Sequence, residues 1–212
     1  MQRVPDIQDI KLLVVDIDGT IAGKSNRLSQ RVKQTLDSVK AKGIHIAIAT
    51  GRMYRSALLF YEEIGSSLPL IAYQGAWIQE PSTNKVHRHL SVSKELAHQL
   101  LDYFEQPELR NLLSVHFYIN DELFIRELTP DTKAYAKRSN IKPIAVGDLR
   151  SSLATNEPTK ILALCNDTNM INNIFQHLRK QYDPSELYLT TSVPTFFEAA
   201  NPSVNKGIWR SL

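Results

Sequence analysis

Leu12-Leu13-Val14-Val15-Asp16-Ile17-Asp18-Gly19-Thr20 decides how this chain is read. Four apolar residues in an unbroken run have the pattern of a strand buried on both faces, which belongs in a parallel sheet covered by helices. The strand runs out into two carboxylates one residue apart, then into Gly19 and Thr20. Asp-Gly by itself is ordinary turn chemistry. A turn, however, requires neither the second aspartate nor the threonine, and four specified positions match by chance only about 10⁻⁵ of the time per start point. Two carboxylates at a strand end form a dense negative site suited to a hard divalent cation such as Mg²⁺. One carboxylate can also attack a phosphoryl group, while a second carboxylic acid protonates the leaving oxygen and later activates water.

Moving outward, Ser29 caps a helix whose apolar positions Val32, Leu36 and Val39 keep the 3.6 period, and Gly43 stops it. Residues 44–49 form a second buried strand that delivers Thr50-Gly51-Arg52 at its carboxyl end. A helix from Met53 turns Ala57, Leu58, Tyr61 and Ile64 inward, and residues 69–73 form a third strand that runs into Gln74-Gly75-Ala76. Strands alternating with helices predict βαβ units and a Rossmann-like parallel-sheet core, in which ligands collect outside the carboxyl ends of the strands. The first part of that core is placed at residues 1–80. From residue 81 the rhythm changes to paired short strands between helices, among them a hairpin turning at Asn120-Asp121, and residues 81–200 are read as an inserted α+β cap domain. Residues 201–212 return to the core.

The 212 residues are 22% charged and 42% hydrophobic, which excludes disorder and low-complexity architectures. The net charge of +3 comes from scattered basic residues and gives no nucleic-acid stripe. No apolar run approaches a membrane span, and the N-terminus lacks a signal-peptide core. Cys165, the single cysteine, sits in an apolar run and reads as a buried structural thiol, in keeping with a cytoplasmic protein.

Asp16, Asp18 and Thr20 after strand one, Thr50 ending strand two, Gln74-Gly75-Ala76 after strand three and Ser203-Val204-Asn205-Lys206-Gly207 together resemble the haloacid dehalogenase-like phosphatases, in the Cof-like branch with a type IIB cap. The resemblance implies Asp16 as nucleophile and Asp18 as general acid/base. It implies Mg²⁺ held by the Asp16 carboxylate and the Asp18 backbone carbonyl, and a phosphoryl group bound by Thr50, Gly51 and Lys206. Arg52, Gln74 and Gly75 are substrate-side candidates, Gln74 standing where the branch carries Asn. Family members continue into a Gly-Asp-x-x-x-Asp strand that this chain, ending at Leu212, does not contain; Gly147-Asp148 lies inside the cap and does not replace it. The resemblance therefore implies a core incomplete at its C-terminus, with an open edge and an apolar face around Ile208 and Trp209 that favours self-association.

The reading is a Mg²⁺-dependent phosphatase of small phosphorylated metabolites, of the sugar phosphate, nucleotide or pyridoxal phosphate type, working through an aspartyl phosphate. The alternative is a catalytically impaired relative that binds a phosphorylated ligand or partner without turnover. A receiver domain is excluded because strand three ends in Tyr73-Gln74-Gly75 with no aspartate. His87 and His89 share a strand face without a third ligand and read as surface residues; Arg31, Lys33, Lys40 and Lys42 read as the solvated face of the first helix. Phe117, Tyr118 and Phe124 read as core aromatics.

Overall fold

A computed structural model describes residues 10–23 and 25–204. Its contacts divide the chain into two compact units, residues 1–88 and 89–212. The boundary falls after Arg88, beyond the one placed at residue 81.

In the first unit, β1 (Leu12–Val15) and β2 (His45–Ile48) pair in parallel with Val15 opposite Ile48. A bridge between Ala49 and Ile71 joins β2 to β3 (Leu70–Ala72) in the same sense. The sheet then continues antiparallel through β4 (Trp77–Glu80) to β5 (Lys85–His89). β5, placed in the second domain by the sequence reading, thus extends the first unit's sheet. Between β1 and β2 lies α1 (Gln30–Ala41), capped by the Ser29 hydroxyl, which accepts the Val32 N–H. Between β2 and β3 lies α2 (Tyr54–Ile64), stopped by Gly65 in a left-handed conformation. The inward face of α2 is broader than its aliphatic positions suggest: Tyr54, Ser56 and Phe60 are buried with Ala57, Tyr61 and Ile64, whereas Leu58 is only half-buried. Among the described residues β1 pairs with β2 alone, and Leu12 is 50% exposed. Ile208 and Trp209 lie outside the described residues.

In the second unit, six strands take the order β10-β11-β9-β6-β7-β8: β6 (Ser114–Ile119), β7 (Glu122–Ile125), β8 (Pro143–Ala145), β9 (Lys160–Leu164), β10 (Tyr188–Thr190) and β11 (Phe196–Ala200). All pairings are antiparallel except β7 with β8. The β6–β7 hairpin turns at Asn120 and Asp121 with φ of 51° and 59°, the left-handed pair that a two-residue turn of matching twist requires. Strand alternation then sorts the sheet's two faces. Val115, Phe117, Ile161, Ala163, Phe197 and Ala199 join the apolar side chains of α3 (Lys94–Phe104) and α6 (Thr168–Gln181) in one core. His116, Tyr118, Lys160 and Glu198 point the other way, toward α5 (Pro130–Ser139). A one-turn helix, α4 (Pro107–Arg110), lies between α3 and β6. Phe117 and Tyr118 are fully buried and Phe124 partly so, as core aromatics should be. Among the described residues no helix is long and apolar enough to cross a membrane.

Candidate functional site at the strand ends of the first unit

The site begins with a tight turn that β1 cannot avoid. The Ile17 carbonyl accepts the N–H groups of Thr20, Ile21 and Ala22 at 3.3, 3.1 and 2.9 Å, and Gly19 returns a bond to the Ala22 carbonyl at 3.0 Å. Folding the chain back over one carbonyl puts Gly19 at φ +72°, a conformation that disfavours side chains, so the glycine after Asp18 is a backbone requirement. Ile17 is fully buried beneath the turn, and its alternation with Asp16 and Asp18 leaves Asp16 half-buried and Asp18 exposed. The Asp16 Oδ1 accepts the Ile17 N–H at 2.8 Å, which fixes that carboxylate at the strand end.

Parallel pairing brings the second strand end alongside. The Ala49 N–H donates to the Val15 carbonyl at 2.9 Å, so Asp16 and Thr50 leave adjacent strands one and two residues beyond the point where Val15 stands opposite Ile48. Thr50 is buried; its N–H donates to the Ile71 carbonyl at 2.9 Å, and its Oγ1 accepts the Arg52 N–H at 3.2 Å. With the oxygen engaged as an acceptor, the hydroxyl proton is what Thr50 can give to an incoming oxygen. The third strand end is tied in by Gln74 N–H to the Thr50 carbonyl and Tyr73 N–H to the Arg52 carbonyl, both at 2.8 Å.

This turn is strained. Tyr73, Gln74 and Gly75 all have positive φ, of 50°, 58° and 98°, and only the last is a glycine. Consecutive left-handed non-glycine residues are costly and mark a place where surrounding bonds dictate the backbone. The Gln74 side chain lies beside Gly51: a Cβ built there would meet Gln74 Cγ at 3.4 Å and Nε2 at 3.5 Å, ordinary van der Waals contact.

Arg52, a substrate-side candidate, reaches across to the first strand end. Its Nε and Nη2 donate to Asp18 Oδ2 and Oδ1 at 2.8 and 2.6 Å, a two-pronged ion pair, and its guanidinium lies 4.8 Å from the centre of the Phe60 ring. Sequence reading missed this pair. The parallel register is what makes it: Val15 opposite Ile48 sends Asp18 and Arg52 off neighbouring strand ends at nearly equal reach.

The remaining candidates separate cleanly. Lys206 lies outside the described residues. His87 is exposed; His89 bonds Thr159 Oγ1 at 2.8 Å, and burial lowers its pKa. Cys165 is buried with its sulfur near Met170. Lys33 pairs with Glu63, and Lys40 pairs with Asp37 while donating to the Ile64 carbonyl, as a solvated helix face allows.

For a divalent cation, the donors at hand are the Asp16 carboxylate and the main-chain oxygens of the turn, because the Asp18 side chain is bound to Arg52. Among the described residues no three His, Cys, Asp or Glu side chains gather into a metal cluster. A hard-oxygen set with one carboxylate fits Mg²⁺, which keeps several waters and shares substrate phosphate oxygens, rather than a cation that needs a closed protein cage.

Comparison with known proteins places this geometry. The family model for haloacid dehalogenase-like hydrolases matches residues 13–209. Two Bacillus subtilis proteins, both named 5-amino-6-(5-phospho-D-ribitylamino)uracil phosphatase, are similar in sequence. YitU is 29% identical over 148 residues, covering 67% of this chain and 52% of its own length. YcsE is 24% identical over 198 residues, covering 93% of this chain and 68% of its own. The chain thus spans about half the length of YitU. The fold is shared with a haloacid dehalogenase-like hydrolase from Bacteroides thetaiotaomicron, at a TM-score of 0.81 and 20% identity over 95% of this chain and 75% of that one. With strand-end aspartates, the strand-two threonine and the family match across residues 13–209 in agreement, the chain belongs to the haloacid dehalogenase-like hydrolases.

Proposed function

We propose that this protein is a phosphatase of small phosphorylated metabolites and that Asp16 is its nucleophile. The observation that carries the reading is the placement of Asp16, half-buried at the end of β1, and of the buried Thr50, at the end of β2, on adjacent parallel strand ends. Asp16 attacks phosphorus, the ester P–O bond breaks, and the leaving oxygen takes its proton from the Asp18 carboxyl. In the second half Asp18 accepts a proton from water, the water oxygen bonds phosphorus, and the bond to Asp16 breaks, returning its electron pair to the carboxylate. Thr50 holds a non-bridging oxygen throughout, and Lys206 adds positive charge by family resemblance. The Asp16 carboxylate and the Asp18 backbone carbonyl would hold Mg²⁺, which would supply charge neutralisation for the phosphoryl oxygens. YitU and YcsE carry the name of a ribityl phosphate phosphatase, so 5-amino-6-(5-phospho-D-ribitylamino)uracil is the first substrate to try within the sugar phosphate class.

The test is hydrolysis of p-nitrophenyl phosphate by the purified chain, with Mg²⁺ or chelator, beside Asp16→Asn. Turnover that needs the metal and falls by at least about 10³-fold in the variant is the expected result. Turnover equal in both proteins removes Asp16 from the reaction. A folded wild-type chain that binds phosphate without turnover favours the ligand-binding alternative.

A further inference from the structure

We propose that Arg52 is a positioning residue for the Asp18 carboxylate in the hydrolytic half of the reaction, an inference that rests on the phosphatase reading above. The two partners are unequal. The Asp18 side chain is 65% exposed and the Arg52 side chain 15%. Arg52 is fixed from several sides: its N–H on Thr50 Oγ1 at 3.2 Å, its carbonyl accepting Tyr73 N–H at 2.8 Å, and its guanidinium over Phe60 at 4.8 Å. An exposed ion pair between two mobile side chains does little. Here two hydrogen bonds hold the Arg52 backbone and the Phe60 ring lies against its guanidinium, so the fork loses little freedom on closing and dictates where the aspartate carboxylate stands.

The fork also selects a role. A guanidinium has donors only, so both Asp18 oxygens are held as acceptors, at 2.8 and 2.6 Å. That is the state in which Asp18 takes a proton from water: the proton passes to an Asp18 oxygen, the water oxygen forms its bond to phosphorus, and the phosphorus–Asp16 bond breaks with its electron pair going to Asp16. A protonated Asp18, which must donate to the leaving oxygen, gives up one prong of the fork. Arg52 therefore serves the second step, and the first proceeds without it wherever the leaving group needs no acid.

p-Nitrophenyl phosphate is such a substrate, and pre-steady-state release of p-nitrophenolate separates the steps. In Arg52→Gln, kcat is expected to fall about 10- to 100-fold with KM falling alongside it, kcat/KM nearly unchanged, and a stoichiometric burst absent from the wild type. Arg52→Lys keeps the charge over Phe60 but cannot form the fork, and is expected to show the same burst. A fall in kcat/KM with no burst in either variant makes Arg52 a substrate contact and overturns the proposal. The pair is also read without turnover, from the Arg52 Nε–H resonance in the full chain. That signal is expected to lose its protection in Asp18→Ala and keep it in Asp16→Asn; protection retained in Asp18→Ala overturns the proposal. Wild-type protein with no turnover and an Arg52 signal that responds to Asp18 sinks the phosphatase reading while leaving the pair in place.

Discussion

The two units treat an ion pair in opposite ways. At the end of β1, Asp18 and Arg52 pair at the surface, with the carboxylate 65% exposed. On the α5-facing side of the second unit's sheet, Lys160 and Glu198 pair at 3.1 Å with side chains only 9% and 6% exposed. Lys160 stands directly opposite Tyr118 in the β6–β9 register and covers its ring at 4.8 Å. Burial pushes the Lys160 ammonium down, but the Glu198 carboxylate and Tyr135 outweigh it and hold its pKa above the ordinary lysine value. Around it Tyr118 donates its hydroxyl hydrogen bond to Tyr135, Ser192 bonds Glu198, and His116 shares a bond with Thr132. An open pair can be rearranged by whatever enters the site. A buried one can only be kept whole or destroyed, because each charge left alone has no water to fall back on.

The sharpest way to break this contrast is to cut each pair on one side. Lys160→Met strands the Glu198 carboxylate in the sheet and is expected to cost about 3–5 kcal/mol in urea unfolding. Asp18→Asn, at the exposed pair, is expected to change stability by less than about 1 kcal/mol. Equal losses from the two substitutions would erase the distinction between a structural and a working pair.

The buried cluster also responds to pH. Burial, with Lys160 nearby, lowers the His116 pKa from 6.5 to about 3. Its Nδ1 is buried without a hydrogen-bond partner, so a second ring proton has nowhere to go. The unfolded chain takes up that proton below about 6.5 and the folded chain refuses it until about 3, so more protons bind to the unfolded state across this window. Stability from this group is therefore full above pH 6.5 and lost as pH falls toward 3, by at most ~1.4 kcal/mol per pH unit. His116→Phe is expected to flatten the acid limb of the stability curve; an unchanged limb would show that His116 is not what the sheet protects.

Why some of this was legible in sequence, and some not, follows from how each feature is encoded. The run from Leu12 to Thr20 declares itself because a strand buried on both faces and the turn after it are specified by consecutive residues. The hairpin at Asn120-Asp121 is legible for the same reason, since both residue types tolerate positive φ. β8 was missed because three residues beginning with proline carry no alternation to read. The burial of Lys160 against Glu198 is not legible, because only the pairing of β9 between β6 and β11 brings the two together. The pairing of Arg52 with Asp18 is not legible, because it joins residues from two strand ends that only the parallel sheet brings together.

The most direct test of the account is to look for the phosphoryl group on Asp16. The chain is mixed with Mg²⁺ and p-nitrophenyl phosphate, quenched in acid during turnover, and digested for peptide mass spectrometry. The prediction is one phosphoryl mass increment on the peptide holding Asp16, absent from Asp16→Asn and from chelator-treated protein. Turnover with no phosphorylated Asp16 peptide, or the increment on another residue, would contradict a nucleophilic aspartate at the end of the first strand.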